Sequence, residues 1–181
     1  LIGEADFVPV QNQYGGFVYA GATMAFTTAY WVLGHYNPRE IAFLGCDMSY
    51  PKSSKTHFYG TGTADPLRED ITLISLEAKA ARLYALALAQ GCEITNLSQE
   101  TSCLIAPRRS LLEPRPEPFE IDKVQKTHAL AREQELAYYV ASGRYWEELE
   151  RFDIKQIKSL EALWSTVVIE TQGVAAPMRS H

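Results

Sequence analysis

The sequence has few cysteines, and their spacing fits neither a metal site nor a disulfide framework. Cys46, Cys92 and Cys103 are odd in number and far apart, unlike the paired ligands of zinc sites or the close pair of a redox motif. Two of them lie in apolar stretches that resemble strands, which favours buried thiols in a reducing compartment. The sequence therefore predicts a cytoplasmic protein without structural disulfides.

Long apolar runs and an excess of positive charge are also missing. The longest apolar stretch, residues 22–33, is too short to span a bilayer, and no segment has the pattern of a secretory signal. The net charge of −5 argues against a nucleic-acid binder, which needs a basic face to replace counterions. The chain begins at Leu1 rather than at Met, which is typical of a fragment or a processed product.

Several catalytic motifs are absent as well. No Gly-x-Ser-x-Gly segment is present, which argues against a serine hydrolase. The segment from Tyr19 to Thr23 matches neither a dinucleotide fingerprint nor a phosphate-binding P-loop. No second carboxylate or histidine stands at ligand spacing from Asp47, so the sequence predicts no metal site.

The hydrophobic pattern that is present indicates helices alternating with short buried strands. Residues 21–36 are apolar nearly all round, as in a helix packed on a sheet. Residues 40–45 and 92–97 are short apolar runs typical of buried parallel strands. Between them, the Ala- and Leu-rich residues 73–90 predict a helix that Asp70 can cap and Gly91 can end. This order predicts an α/β fold with a Rossmann-like parallel sheet.

The length suits one domain with a helical appendage. We expect residues 1–106 to form the α/β domain, with a first strand or a loop in residues 1–20, and residues 107–119 to form a proline-rich linker. Residues 120–181 are expected to form the appendage and tail, with helices at 121–142, 145–152 and 154–164. Their apolar face can dock on the sheet, on a second subunit or on a membrane surface. It comprises Leu136, Tyr139, Val140, Trp146, Leu149, Leu160, Leu163 and Trp164.

Residues 50–69, predicted to be a long polar loop, carry the side chains best suited to chemistry. His57 can exchange a proton near neutral pH and act as a general base, although a loop histidine can equally bond only to backbone. Tyr50 and Tyr59 flank it, and phenolic hydroxyls can stabilise a phosphate leaving group without a metal; packing is the alternative explanation.

Three further residues frame the expected binding edge. Asp47 follows the first buried strand, where it can bind a sugar hydroxyl, ligate a metal or cap the loop. Gly21 opens the helix predicted at 21–36 and Thr23 lies in its first turn, so backbone N–H groups there can bind a phosphate.

The glutamates of the C-terminal helices are interpreted as solvated charges: Glu133, Glu135, Glu147 and Glu148.

Taken in order, these segments resemble a known family. The chain resembles the second half of the Rossmann-like domain of small bacterial sialyltransferases, glycosyltransferase family 42, in the order of four segments. They are the helix at 21–36, the strand ending before Asp47, the run Thr56-His57-Phe58-Tyr59-Gly60 and the strand at 92–97. The resemblance covers residues 17–106. It implies inverting, metal-independent transfer from a CMP-sugar donor to a bacterial surface glycan, with no cofactor, His57 as the base and Tyr50 and Tyr59 at the departing phosphate.

The chain departs from that family at three points. The serine of the family's Ser-Gly turn is Ala20, and Tyr50 stands one residue beyond the family's tyrosine. The Gly-Asn-Gly-Pro-Ser-like turn that cradles the nucleotide is absent from the chain. These departures leave two alternatives to the transferase. One is a non-catalytic carbohydrate- or protein-binding domain, and the other is a Mg²⁺-dependent phosphotransferase with Asp47 and Asp65 as its carboxylate pair.

Overall fold

The computed structural model describes residues 3–48 and 70–170. Within these ranges six α-helices and four strands follow one another, with short 3-10 turns at Ile71–Leu73, Tyr145–Glu147 and Leu149–Arg151. The elements are α1 Glu4–Gln13, α2 Phe17–Ala20, α3 Met24–Tyr36, β1 Glu40–Phe43, α4 Leu76–Ala89, β2 Glu93–Asn96, β3 Glu120–Ile121, α5 Lys123–Leu136, α6 Ile154–Trp164 and β4 Val168–Ile169.

The two buried runs form a parallel pair of strands. β1 pairs with β2 in a register that sets Ile41 opposite Ile94 and Phe43 opposite Asn96. On the other side of β2, Asn96 forms a parallel bridge with Arg108, so β2 lies between β1 and the chain around Arg108. The prediction of a mixed helix-and-strand chain with a short parallel sheet is confirmed at this level.

The helices that flank these strands begin at polar capping residues, and a glycine follows the end of α4. Thr23 caps α3 by accepting a hydrogen bond from the backbone N–H of Phe26 at 3.3 Å. Ser75 caps α4 in the same way, whereas Asp70, the predicted cap, holds the preceding 3-10 turn through Thr72. Gly91 follows α4 with φ +76°, a conformation that glycine adopts without strain.

Residues 4–13 and 17–20 are helical and a short turn joins them, so the prediction of a strand or loop is wrong for these two segments. Pro9 lies inside α1 and weakens the local helix signal, because proline removes a backbone donor. The packing of α1 against α3 compensates for the hydrogen bond that Pro9 cannot donate. A Cβ at Gly34 of α3 would lie 2.7 Å from Val10, so the missing side chain lets α1 approach closely, and the Phe7 and Trp31 rings meet at 5.7 Å.

Residues 145–152 also differ from the prediction of a helix. They form two consecutive 3-10 turns. Side chains three residues apart eclipse in such turns, and each turn has an ion pair at that spacing, Arg144 with Glu147 and Arg151 with Glu148.

The antiparallel pair β3–β4, with Glu120 opposite Ile169, was not predicted, because a strand of two residues is too short to show an alternation of apolar and polar residues.

Helix α4 lies at the centre of the packing and contributes to two hydrophobic clusters. One face, with Leu83, packs with α3 and the parallel strands in a cluster that includes Phe26 and Ile94. The opposite face, with Ala78 and Ala85, packs with α2, α5 and α6. Much of the predicted C-terminal apolar face is therefore buried against α4 within this chain, as Leu160 and Trp164 show, while Trp146 and Leu149 stay exposed.

The same helix buries two cations, and each pairs with a carboxylate of the C-terminal helices. The Arg82 Nε lies 2.6 Å from Glu133 of α5. The Lys79 Nζ lies 3.5 Å from Glu161 of α6 and donates to the Val18 carbonyl. Burial lowers the pKa of Lys79 and raises that of Glu161. The interpretation of Glu133 as a solvated charge is wrong, because its side chain is 7% exposed.

None of the helices in the described ranges is long and apolar enough to cross a membrane.

Candidate functional site

The carboxyl ends of β1 and β2 form an edge on which two helix N-termini converge. α3 leads into β1 and α4 leads into β2, so each helix runs back along its strand and begins at the strand's carboxyl end. For α3 a contact confirms this arrangement, because the Thr23 hydroxyl lies 3.7 Å from the Met48 sulfur. For α4, Glu77 in its first turn interacts with Cys103, whose thiol lies 3.5 Å from the Met48 carbonyl. This edge is where open α/β sheets bind their ligands.

The turn before α3 is tightly built. Gly21 is buried, and a Cβ added there would lie 2.4 Å from the Phe17 carbonyl oxygen, so no other residue fits without a shift. The next residue, Ala22, has φ +100°, which is strained for a residue with a side chain. Strained backbone concentrates at binding and catalytic sites, because the surrounding structure has to hold it in place.

Replacing Gly21 with alanine is expected to destabilise the fold by about 1–3 kcal/mol, the usual cost of forcing extra atoms into a packed site. The added methyl group meets backbone that is held in α2 and cannot rotate away. Urea unfolding measures the loss. Gly3→Ala is the control, because a Cβ at Gly3 meets nothing within 4 Å. Equal stability of Gly21→Ala and the wild type would contradict the tight turn.

Asp47 reaches the edge with one carboxylate oxygen lacking a partner. Its backbone carbonyl accepts from the Cys103 N–H at 3.0 Å, which holds the residue in place. Its Oδ1 is buried and has no hydrogen-bond partner among the residues described. Buried carboxylate oxygens normally accept hydrogen bonds, so this atom can receive a donor from a ligand.

Two residues that the sequence did not single out complete the edge. Ser98 accepts a hydrogen bond from the Gly45 N–H at 2.8 Å and so joins the chain after β1 to the chain after β2. The Asn96 Oδ1 accepts from the Ser98 N–H, while its buried Nδ2 has no partner in the described ranges. Their position at the end of the second parallel strand is the signal that could have indicated them.

The predicted loop residues Tyr50, His57 and Tyr59 lie outside the described residues. The residues that flank this segment are Met48 and Asp70. Met48 contacts Thr23 at the edge, and Asp70 caps the turn that leads into the N-terminus of α4. Met48 and Asp70 therefore lie on the side of the sheet where Thr23 and Asp47 lie.

The edge is polar but holds no cluster of metal-binding side chains within the described ranges. Its thiols are poor nucleophiles, because burial raises the pKa of Cys46 and takes that of Cys103 to about 11. The chemistry available to the described part of the edge is hydrogen bonding by Asp47, Asn96 and the turn at Thr23.

Comparisons of this chain with protein-family models, with curated proteins and with solved structures find no match. Its function is therefore inferred from the residues and the geometry of the edge.

Proposed function

We propose that this chain is a sialyltransferase-like glycosyltransferase with a Rossmann-like sheet, acting in the cytoplasm on a CMP-sugar donor. The observation that carries the proposal is the buried Asp47 Oδ1 at the carboxyl edge of the parallel strands, which has no hydrogen-bond partner among the described residues. A carboxylate accepts hydrogen bonds and repels phosphate, so its natural ligands are the hydroxyl groups of a ribose or a sugar.

The N-terminus of α3 supplies the complementary phosphate site. The helix has 13 residues, so its unpaired N–H groups and its dipole favour an anion at the first turn. Thr23 and Asp47 reach the same edge, because Thr23 contacts Met48 and Met48 follows Asp47 in the chain. A nucleotide-sugar has both groups that this pair selects, hydroxyls for Asp47 and a phosphate for the helix.

In this proposal His57 removes the proton from the acceptor hydroxyl as that oxygen attacks the anomeric carbon of the donor. The bond to the CMP phosphate breaks with inversion, and Tyr50 and Tyr59 stabilise the leaving phosphate by hydrogen bonding. These roles rest on the resemblance to glycosyltransferase family 42. They are consistent with the positions of Met48 and Asp70, the residues that flank the segment carrying His57, because Met48 contacts Thr23 and Asp70 caps the turn that leads into α4.

Replacing Asp47 with alanine is expected to weaken binding of CMP-sialic acid by about tenfold or more, because a hydrogen bond to a charged group contributes about 1.5–3 kcal/mol. Saturation-transfer NMR of the full chain measures the dissociation constant, with CMP, UDP, GDP and ADP as competitors. Asp6→Ala is the control, because Asp6 is a carboxylate on the exposed side of α1.

The three possible outcomes of this titration each favour a different candidate function. Selective binding of the CMP compounds without Mg²⁺, lost in Asp47→Ala, supports the transferase. Binding of another nucleotide only with Mg²⁺ replaces it with a phosphotransferase. No nucleotide binding at all contradicts donor use, and favours the carbohydrate- or protein-binding domain that the absent nucleotide-cradling turn suggests.

A further inference from the structure

A second candidate site lies at the other end of α4, away from the carboxyl edge. It is a cavity of about 610 Å³ between the end of α1, the C-terminal half of α4 and α5. Its size falls within the range of about 300–1,000 Å³ that is usual for small-molecule sites. The residues that line it include Ala89 and Gln90 at the end of α4, whereas the candidate edge lies at the N-terminus of the same helix.

The walls of this cavity are mainly apolar and aromatic. Tyr14, Tyr19 and Tyr139 contribute rings, and Leu86 and Leu130 contribute aliphatic surface from the two facing helices. Ring faces and aliphatic side chains bind flat apolar groups by burying surface and by stacking. The walls therefore favour an aromatic ligand.

The polar floor is formed by the Arg82–Glu133 pair, whose charges neutralise each other. The Glu133 Oε1 accepts from the Arg82 Nε at 2.6 Å and from the Trp164 Nε1 at 2.7 Å. The Arg82 Nη2 donates to the Glu133 Oε2 and to the Tyr14 carbonyl, which uses both of its hydrogens. To pair with either Arg82 or Glu133, a charged ligand would have to break hydrogen bonds between these two buried groups. An uncharged ligand leaves those bonds intact and is therefore expected to bind more tightly.

Gly15 keeps the cavity open above this pair. A Cβ at Gly15 would lie 3.5 Å from the Arg82 Nη2 and 3.8 Å from the Glu133 Oε2, so a side chain there would cover the pair. Nearby, the Tyr19 hydroxyl is uncharged at neutral pH, as tyrosine ordinarily is, and burial raises its pKa further, to about 12. The amides of Gln13, Gln90 and Gln134 also line the cavity and can bond to neutral polar atoms.

We infer that this cavity binds an uncharged aromatic small molecule, with the ring between α4 and α5 and its polar atoms toward the glutamine amides. The site is distinct from the proposed donor site in position and in chemistry. It selects a neutral, flat ligand, whereas the carboxyl edge selects hydroxyls and phosphate.

The test uses N-phenylnaphthylamine, an uncharged aromatic dye whose fluorescence rises in apolar sites, titrated into the full chain. We expect saturable binding with one dye per chain. Ala89→Trp and Gln134→Trp each place an indole in the cavity from an exposed lining position and should weaken binding by about tenfold or more. Both positions are solvent-exposed, so the fold should tolerate the change, and circular dichroism checks this for each variant.

Two controls locate the dye and two results would overturn the inference. Ala131→Trp adds the same indole to an exposed position of α5 outside the cavity, and Ala42→Trp fills a separate apolar groove between α3 and β1. Both should bind the dye like the wild type. Absence of saturable binding, or loss of binding in Ala42→Trp instead of Ala89→Trp, contradicts the assignment of the cavity.

The charge selectivity is tested with anilinonaphthalene sulfonate, which adds a sulfonate to the same aromatic frame. It should bind the wild type at least about tenfold more weakly than the neutral dye. Equal or tighter binding of the sulfonate would contradict the selection of an uncharged ligand. CMP-sialic acid affinity should be the same in Ala89→Trp and the wild type, so this inference and the proposed function can fail independently.

Discussion

Replacing Arg82 with methionine is expected to lower the free energy of unfolding by about 3–5 kcal/mol, because it leaves a buried carboxylate without its cation. Arg82 is 3% exposed, and its guanidinium donates to Glu133, to the Tyr30 hydroxyl at 2.8 Å and to the Tyr14 carbonyl at 2.7 Å. It also lies 5.6 Å from the centre of the Trp164 ring. One substitution therefore removes contacts that join α4 to α1, α3, α5 and α6.

The measurement is urea-induced unfolding followed by circular dichroism, and two variants show whether buried charge is the cause. The double variant Arg82→Met, Glu133→Leu should recover part of the loss, because an apolar pair of similar size leaves no unpaired charge. Arg144→Met should change stability by less than about 1 kcal/mol, because Arg144 and its partners Glu4 and Glu147 are exposed. A small loss in Arg82→Met would show that Arg82 does not hold these helices, and no recovery in the double variant would show that the unpaired carboxylate is not the cause of the loss.

Replacing His57 with alanine is expected to lower the turnover of sugar transfer by about a hundred- to ten-thousandfold, the usual contribution of a general base. The acceptor hydroxyl has to lose its proton as it attacks, and His57 is the one histidine of the 50–69 segment, the residue type that most often serves as a general base. Release of CMP from CMP-sialic acid, with a panel of glycan acceptors, gives the rate. This prediction rests on the proposed function.

The control separates a catalytic role from a structural one. His57→Ala should keep the CMP-sialic acid affinity and the unfolding free energy of the wild type, because only the proton acceptor is removed. His128→Ala removes an exposed histidine of α5 and should leave the rate unchanged. A His57→Ala variant that still transfers the sugar at the wild-type rate would exclude His57 as the base.

Local signals in the sequence predicted the elements that build the candidate edge. The apolar runs at β1 and β2, the Ala- and Leu-rich α4 and the stop at Gly91 depend on interactions within a few residues, so the pattern of one segment reveals them. Asp47 was identified in the same way, because a polar residue directly after a buried strand is placed by chain connectivity.

Residues that meet across long separations could not be predicted. Arg82 and Glu133 are 51 positions apart, and each stands on a helix where a charged residue is ordinarily solvated. The tertiary packing of α5 and α6 on α4 decided that this pair is buried, and it also created the cavity above it. Likewise, α1 is helical despite Pro9 because Gly34 lets it pack closely on α3.

The sequence by itself determined the order of α3, β1, α4 and β2, the stop at Gly91 and the position of Asp47 after β1, because these follow from local propensity and chain connectivity. Only the tertiary structure decided which charges are buried, which carboxylate oxygens have no hydrogen-bond partner in the described ranges and where a cavity opens. These properties depend on which distant segments exclude water from one another, and no local pattern contains that information.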